Sequence, residues 1–224
     1  MSPRQKLVLK CLIEEYMKSR QPVSSKTLAS KKKLKVSSAT LRIEMSRLAK
    51  EGYLRKLYFS SGKIPTVKAY KFYLENCCQP KISLAQERRL IQVFKLKKEE
   101  EILQRLIESI AEISHSLTFL FWEDFFLFQG LKYLLKTINP LHKRELLRIA
   151  QAVEEGFDFA KKTKTKNLKI YFGDEIPCPG AENLSIIVAK ISKGNLGAIG
   201  SLGMNYPLSI GLLQKARELL ETKL

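Results

Sequence analysis

Between residues 36 and 50 the sequence reads Val-Ser-Ser-Ala-Thr-Leu-Arg-Ile-Glu-Met-Ser-Arg-Leu-Ala-Lys, a spacing of hydroxyls and guanidiniums suited to recognition. Ser37 or Ser38 can cap a helix start by accepting a backbone N–H two or three residues on. Leu41, Met45 and Leu48 then fall at i, i+4 and i+7, an apolar stripe that belongs in a core. At about 100° per residue the opposite face carries Ala39, Arg42, Ile43, Ser46 and Lys50. Small, basic and contact-sized groups on one face can enter a DNA major groove, and Arg42 is the residue expected to reach a base edge. An ordinary amphipathic helix has the same stripe, so the flanking elements must decide between the two.

Other chemistry is hard to assemble from this chain. His115 and His142 are far apart, and no carboxylate, cysteine and histidine set has a catalytic or metal-ligand spacing. Gly194, Gly197, Gly200 and Gly203 recur every third residue, which matches neither the dinucleotide fingerprint nor a phosphate loop; tight strand packing accounts for them. Cys11, Cys77, Cys78 and Cys178 form no C-x-x-C pair and read as free thiols in a reducing compartment. We expect no enzyme activity, no cofactor and no metal. The N-terminus lacks an apolar signal segment, and Glu123 and Asp124 interrupt the apolar run from Leu117 to Leu131. A soluble, cytoplasmic protein without a membrane partner is the expectation.

The elements around the recognition stretch strengthen the nucleic-acid reading. The 224 residues carry 40 Lys and Arg against 22 Asp and Glu, net +18, and residues 1–80 alone hold 18 against 5. A basic segment of this kind attracts polyphosphate by counterion release. Ser2-Pro3 opens a first helix with Leu9, Leu12, Ile13, Tyr16 and Met17 on one side, and Arg20-Gln21-Pro22 stops it. A serine-capped short helix follows from Val23 to Ala29, and a lysine-rich turn, Lys31 to Lys35, joins it to the recognition helix. After Gly52, residues 53–59 form a strand candidate, Ser60-Ser61-Gly62-Lys63 a turn and Ile64-Pro65-Thr66 the return, with a helix from Val67 to Glu75. Helices followed by a basic-tipped hairpin make a winged helix-turn-helix. In that arrangement Ser37, Ser38, Thr40, Arg42, Ile43, Ser46 and Arg47 lie at bases or adjoining phosphates, Ser24, Lys26 and Thr27 anchor the backbone, and Ser61, Gly62 and Lys63 form the wing tip.

Pro22-Val23-Ser24-Ser25-Lys26-Thr27-Leu28, Ser37-Ser38-Ala39-Thr40-Leu41-Arg42-Ile43-Glu44-Met45, Gly52-Tyr53-Leu54 and Ser60 to Thr66 together resemble the heat-inducible transcription repressor family, HrcA. The resemblance resumes in Asn183 to Ile187 and in Gly197 to Pro207, where Met204-Asn205-Tyr206-Pro207 looks like the family's signature before its last helix. It implies a homodimeric repressor of chaperone genes that binds an inverted repeat in double-stranded DNA and whose active form depends on the chaperonin. Two departures stand out. Ile43 occupies the position where the family typically has asparagine, a side chain able to pair with adenine. The chain also passes from Ile113-Ser114-His115 almost directly to Phe125, without the dimerising insert of the family.

The expected fold is α+β: a winged-helix DNA-binding domain over residues 1–78, linker or dimerisation helices over 79–120, and a small, reduced GAF-like α/β domain over 121–224. Leu84 to Leu120 reads as one long helical pattern whose stripe, including Ile102, Leu103, Leu106, Ile107 and Ile110, could pair with a symmetry mate or pack within one chain. Phe125 to Phe128 reads as a buried strand, Leu141 to Ala160 as a helix, residues 168–172, 184–191 and 196–201 as strands, and Ser209 to Thr222 as the closing helix. Two rivals remain open: a ligand-sensing or chaperone-docking regulator with altered or non-specific DNA binding, and an RNA-binding protein that stacks bases on Tyr58 or Phe59.

Overall fold

Ser2 accepts the Gln5 N–H and Gln5 returns the bond to the Ser2 N–H, a reciprocal cap that starts the first helix, α1 (Pro3–Ser19). The computed structural model describes residues 1–30, 34, 36–56, 62–138 and 143–224. They form two compact units, residues 1–79 and 80–224. The expected lysine turn, apart from Leu34, the strand end 57–59, Ser60-Ser61, Asn139-Pro140 and His142 lie outside the described residues.

In the first unit Arg20 adopts the left-handed region (φ 58°) and donates its N–H to the Tyr16 carbonyl, ending α1. Two short-loop serines open the next helices: Ser24 caps α2 (Ser25–Ala29) and Ser37 caps α3 (Ser38–Lys50). Gly52, at φ 79°, closes α3 with bonds from its own N–H to Ala49 and from Tyr53 to Leu48. This cap turns the chain directly into β1 (Leu54–Lys56). β1 pairs antiparallel with β2 (Lys63–Pro65), Lys56 facing Lys63 and Leu54 facing Pro65. Thr66 then caps α4 (Val67–Asn76). Leu9, Leu12, Ile13, Leu28, Leu41, Leu48 and Tyr70 are fully buried and hold the helices together.

The second unit is a five-stranded antiparallel sheet with helices on both faces, so the chain as a whole is a mixed α+β protein. Its order is β4-β3-β7-β6-β5, with β3 (Leu117–Trp122), β4 (Phe125–Gln129), β5 (Leu168–Phe172), β6 (Leu184–Ile191) and β7 (Gly194–Ser201). One face is covered by α6 (Glu99–Ser114) and α9 (Tyr206–Lys223), with α5 (Leu84–Val93) packed on α6 and α9. The other face is covered by α7 (Leu131–Ile138) and α8 (Lys143–Lys162), which bury Leu134, Ala152, Val153 and Phe157 against Phe119, Ile186, Val188 and Ile199. The Asn195 amide of β7 donates to the Ala160 carbonyl at 2.9 Å and tops the end of α8. A Cβ on Gly197 would lie 2.2 Å from the Ile187 carbonyl oxygen, so that glycine serves close strand packing.

Two expectations need correction. The helix expected over Leu84 to Leu120 is two helices and a strand. Phe94 ends α5, and His115, at φ 51°, ends α6 two residues before β3. Its apolar stripe is spent inside the unit: Ile102, Leu103, Leu106, Ile107 and Ile110 are all buried. The strand at Phe125 to Phe128 is present, but as an edge strand whose Phe125, Phe126 and Phe128 are 46%, 43% and 45% exposed.

Candidate nucleic-acid interface

Helix α3 buries Leu41, Met45 and Leu48 and leaves Ser38, Ala39, Arg42, Ile43, Ser46, Arg47 and Lys50 exposed. Ile43 is 55% exposed, a large apolar group held in solvent on the outer face. Arg42 and Ser46, one turn apart, stand on the side of α3 that faces the hairpin. With Met45 they line a groove of about 430 Å³ whose other walls are Val23, Ser24, Ser25, Lys56, Gly62 and Lys63. The beginning of α2, the face of α3 and the two-stranded hairpin therefore meet at one place.

Lys63 knits these walls together. Its backbone exchanges two 2.9 Å hydrogen bonds with Val23, and its ammonium donates to the Met45 carbonyl at 2.7 Å. Lys63 was expected at a wing tip; it is the first residue of β2, half-buried, with its charge turned toward α3. Burial, and secondarily the positive charge of Lys56, push its pKa below 10.5. Gly62 allows the approach, because a Cβ there would lie 2.6 Å from both the carbonyl carbon and oxygen of Val23. Arg42, Lys56 and Lys63 thus converge on a groove whose described lining contains no carboxylate. Like charges gathered at partial burial favour an anion between them.

Several expected contact hydroxyls are engaged in the fold. Ser24 accepts the Thr27 N–H at 3.1 Å and its hydroxyl lies 2.9 Å from that of Thr27; Ser37 and Thr40 repeat the arrangement at 3.2 and 2.9 Å. These residues, all but fixed as caps, still sit at the helix ends that open toward the outer surface. Lys26 and Ser38 are exposed, and Arg47 reaches the buried Glu44 carboxylate at 3.7 Å while keeping 62% of its side chain in solvent. Ser61 lies outside the described residues. Lys56 was missed, and the signal that finds it is register: once Leu54 is set against Pro65, Lys56 falls opposite Lys63.

No helix among the described residues is long and apolar enough to cross a membrane, and no cluster of three metal-ligating side chains occurs among them. The family model of the HrcA protein C terminal domain matches residues 68–210. The heat-inducible transcription repressor HrcA of Phytoplasma mali is 38% identical over 118 residues, 51% of this chain and 34% of that protein. The corresponding repressor of Lactobacillus delbrueckii is 42% identical over 80 residues, 36% of this chain and 23% of its own length, and that of Bacillus pumilus is 38% identical over 115 residues. The matched stretches span about a third or less of these relatives. In fold, the chain is similar to a crystal structure described as a hypothetical protein at 2.2 Å resolution, with a TM-score of 0.79 at 17% identity over 99% of this chain and 98% of the other.

Proposed function

Since the chain belongs to the HrcA family, whose curated relatives are named as transcription repressors and not as enzymes, we propose that it is itself a transcription repressor that binds double-stranded DNA in the cytoplasm. In this reading residues 1–78 act as a winged helix: α3 enters the major groove, and β1 and β2 press on the flanking backbone. Residues 79–224 act as a reduced GAF-like regulatory part, α5 and α6 included. The target is an inverted repeat ahead of heat-shock genes, read by a homodimer, with the chaperonin as the partner that sets activity.

The observation that carries the reading is the groove between α2, α3 and the hairpin, where Arg42, Lys56 and Lys63 converge without a described acid. Arg42, Ile43 and Ser46 meet base edges; Arg47, Lys26, Lys56, Ser24 and Thr27 contact phosphates, and Ser37, Ser38 and Thr40 hold the start of α3 against the backbone. Gly62 and Lys63 bring the hairpin to the flank.

Fluorescence anisotropy with a duplex carrying the inverted repeat of the family, against a scrambled duplex, at several salt concentrations, tests this. A preference of about 10³-fold or more supports the proposal. Equal binding to both, falling steeply with salt, leaves only the electrostatic component and favours the regulator without specific DNA recognition. Preference for single-stranded RNA favours the stacking alternative.

A further inference from the structure

The two edges of the five-stranded sheet are treated differently. β5, at one edge, carries Lys169 exposed in mid-strand and is preceded by Lys164 and Lys166, the charged protection expected of an edge that must not pair. β4, at the other edge, is uncharged from Phe125 to Leu131 and, among the described residues, pairs only with β3. Its Phe125, Phe126 and Phe128 are each more than two-fifths exposed, and Leu131 beyond it is 40% exposed.

These rings are held in place before any partner arrives. Phe126 stacks on Phe121 at 4.6 Å, and Phe126 and Phe128 pack on Phe157 of α8 at 5.0 and 5.4 Å. With roughly 200 Å² per phenylalanine, each leaves on the order of 90 Å² uncovered. Two copies would contribute about 500 Å² from their six rings, about a third of a standard interface of roughly 1,600 Å².

We propose that β4 is the docking edge for a second copy of this chain, the two strands pairing antiparallel about a two-fold axis at Leu127. This rests on the homodimer reading and names its surface. Charge selects the occupant and its direction. Asp124 stands just before β4, beside Glu123, whose carboxylate is held by Lys193 at 3.1 Å, and Lys132 follows the strand's end, so antiparallel pairing sets the Asp124 end of each copy beside the Lys132 end of the other. In this register Phe126 lies opposite Phe128 of the second copy, and the four rings form one row between the two α8 helices. The two-fold consumes both unprotected edges, so the assembly closes as a dimer.

Sedimentation of the full chain, with oxidative cross-linking, tests the surface. The wild type should sediment as a dimer at micromolar concentration. The double variant Phe126→Glu/Phe128→Glu should weaken association by at least about 100-fold, since it would bury unpaired carboxylates, with circular dichroism checking that it stays folded. Leu127→Cys faces its own symmetry mate and should give a covalent dimer under an oxidant that leaves the wild type, with its four native cysteines, uncross-linked. A dimer that ignores the charges and forms no bond at 127 overturns this surface while the homodimer reading stands. A monomeric wild type overturns both, and the duplex titration judges DNA binding separately.

Discussion

Arg42 and Lys56 line the same groove and should fail differently when removed. Arg42→Ala should cost about 1–3 kcal/mol on the specific duplex and little on a scrambled one, because a base-edge contact carries sequence information. Lys56→Ala should weaken both duplexes alike and reduce the slope of log K against log salt by about one. Lys63 brings a pH dependence. Burial lowers its pKa below 10.5, so the folded protein gives up this proton before the unfolded chain does. The cost of holding the buried ammonium therefore fades as pH climbs from the folded value to 10.5. A phosphate nearby would raise the same pKa, so binding takes up a proton and affinity should fall through that alkaline window. Anisotropy titrations from pH 8 upward check this, with Lys63→Arg, always charged, as the variant whose affinity falls less. Helical spacing was enough to put Arg42, Ile43 and Ser46 on one exposed face. It could not find Lys56, whose position follows from a hairpin register, whereas the serine caps it does read, at Ser24 and Ser37, are present and hold those hydroxyls at the helix starts.

Elements were legible where chain punctuation is strong. Ser2-Pro3, Ser24, Ser37, Gly52 and Thr66 mark real boundaries, because each satisfies backbone groups that a helix end leaves open. The region from Leu84 to Trp122 has no proline or glycine, and Leu117 to Trp122 is apolar on both faces except for Thr118. Such a run has no period that separates a buried strand from a helix, so in the sequence β3 reads as a continuation of the helix before it. The hairpin offers a test at this scale. Gly62→Ala would push a methyl into the Val23 backbone and should cost about 1–3 kcal/mol in thermal or urea unfolding. Its specific DNA affinity should drop as well, since β2 would move from its seat against α3. Unchanged stability would show that the Val23 segment yields easily.

Across the molecule, net charge is divided unevenly: residues 1–80 hold 18 Lys and Arg against 5 acids, while the remaining residues are closer to balance. Composition alone showed this, whereas the pairing edge at β4 needed the sheet order, which no local pattern encodes. If two copies present two basic units, the full inverted repeat should bind about 10² to 10⁴ times more tightly than a single half-site, a comparison that anisotropy on matched duplexes measures directly. Equal affinities would mean that one unit acts alone. The bond from Lys63 to the Met45 carbonyl, described above as part of the groove wall, also has a thermodynamic meaning. It fastens β2 to α3 with no ligand present, so the ordering entropy of that junction is already spent, and under the proposed function docking of DNA there would demand no folding step.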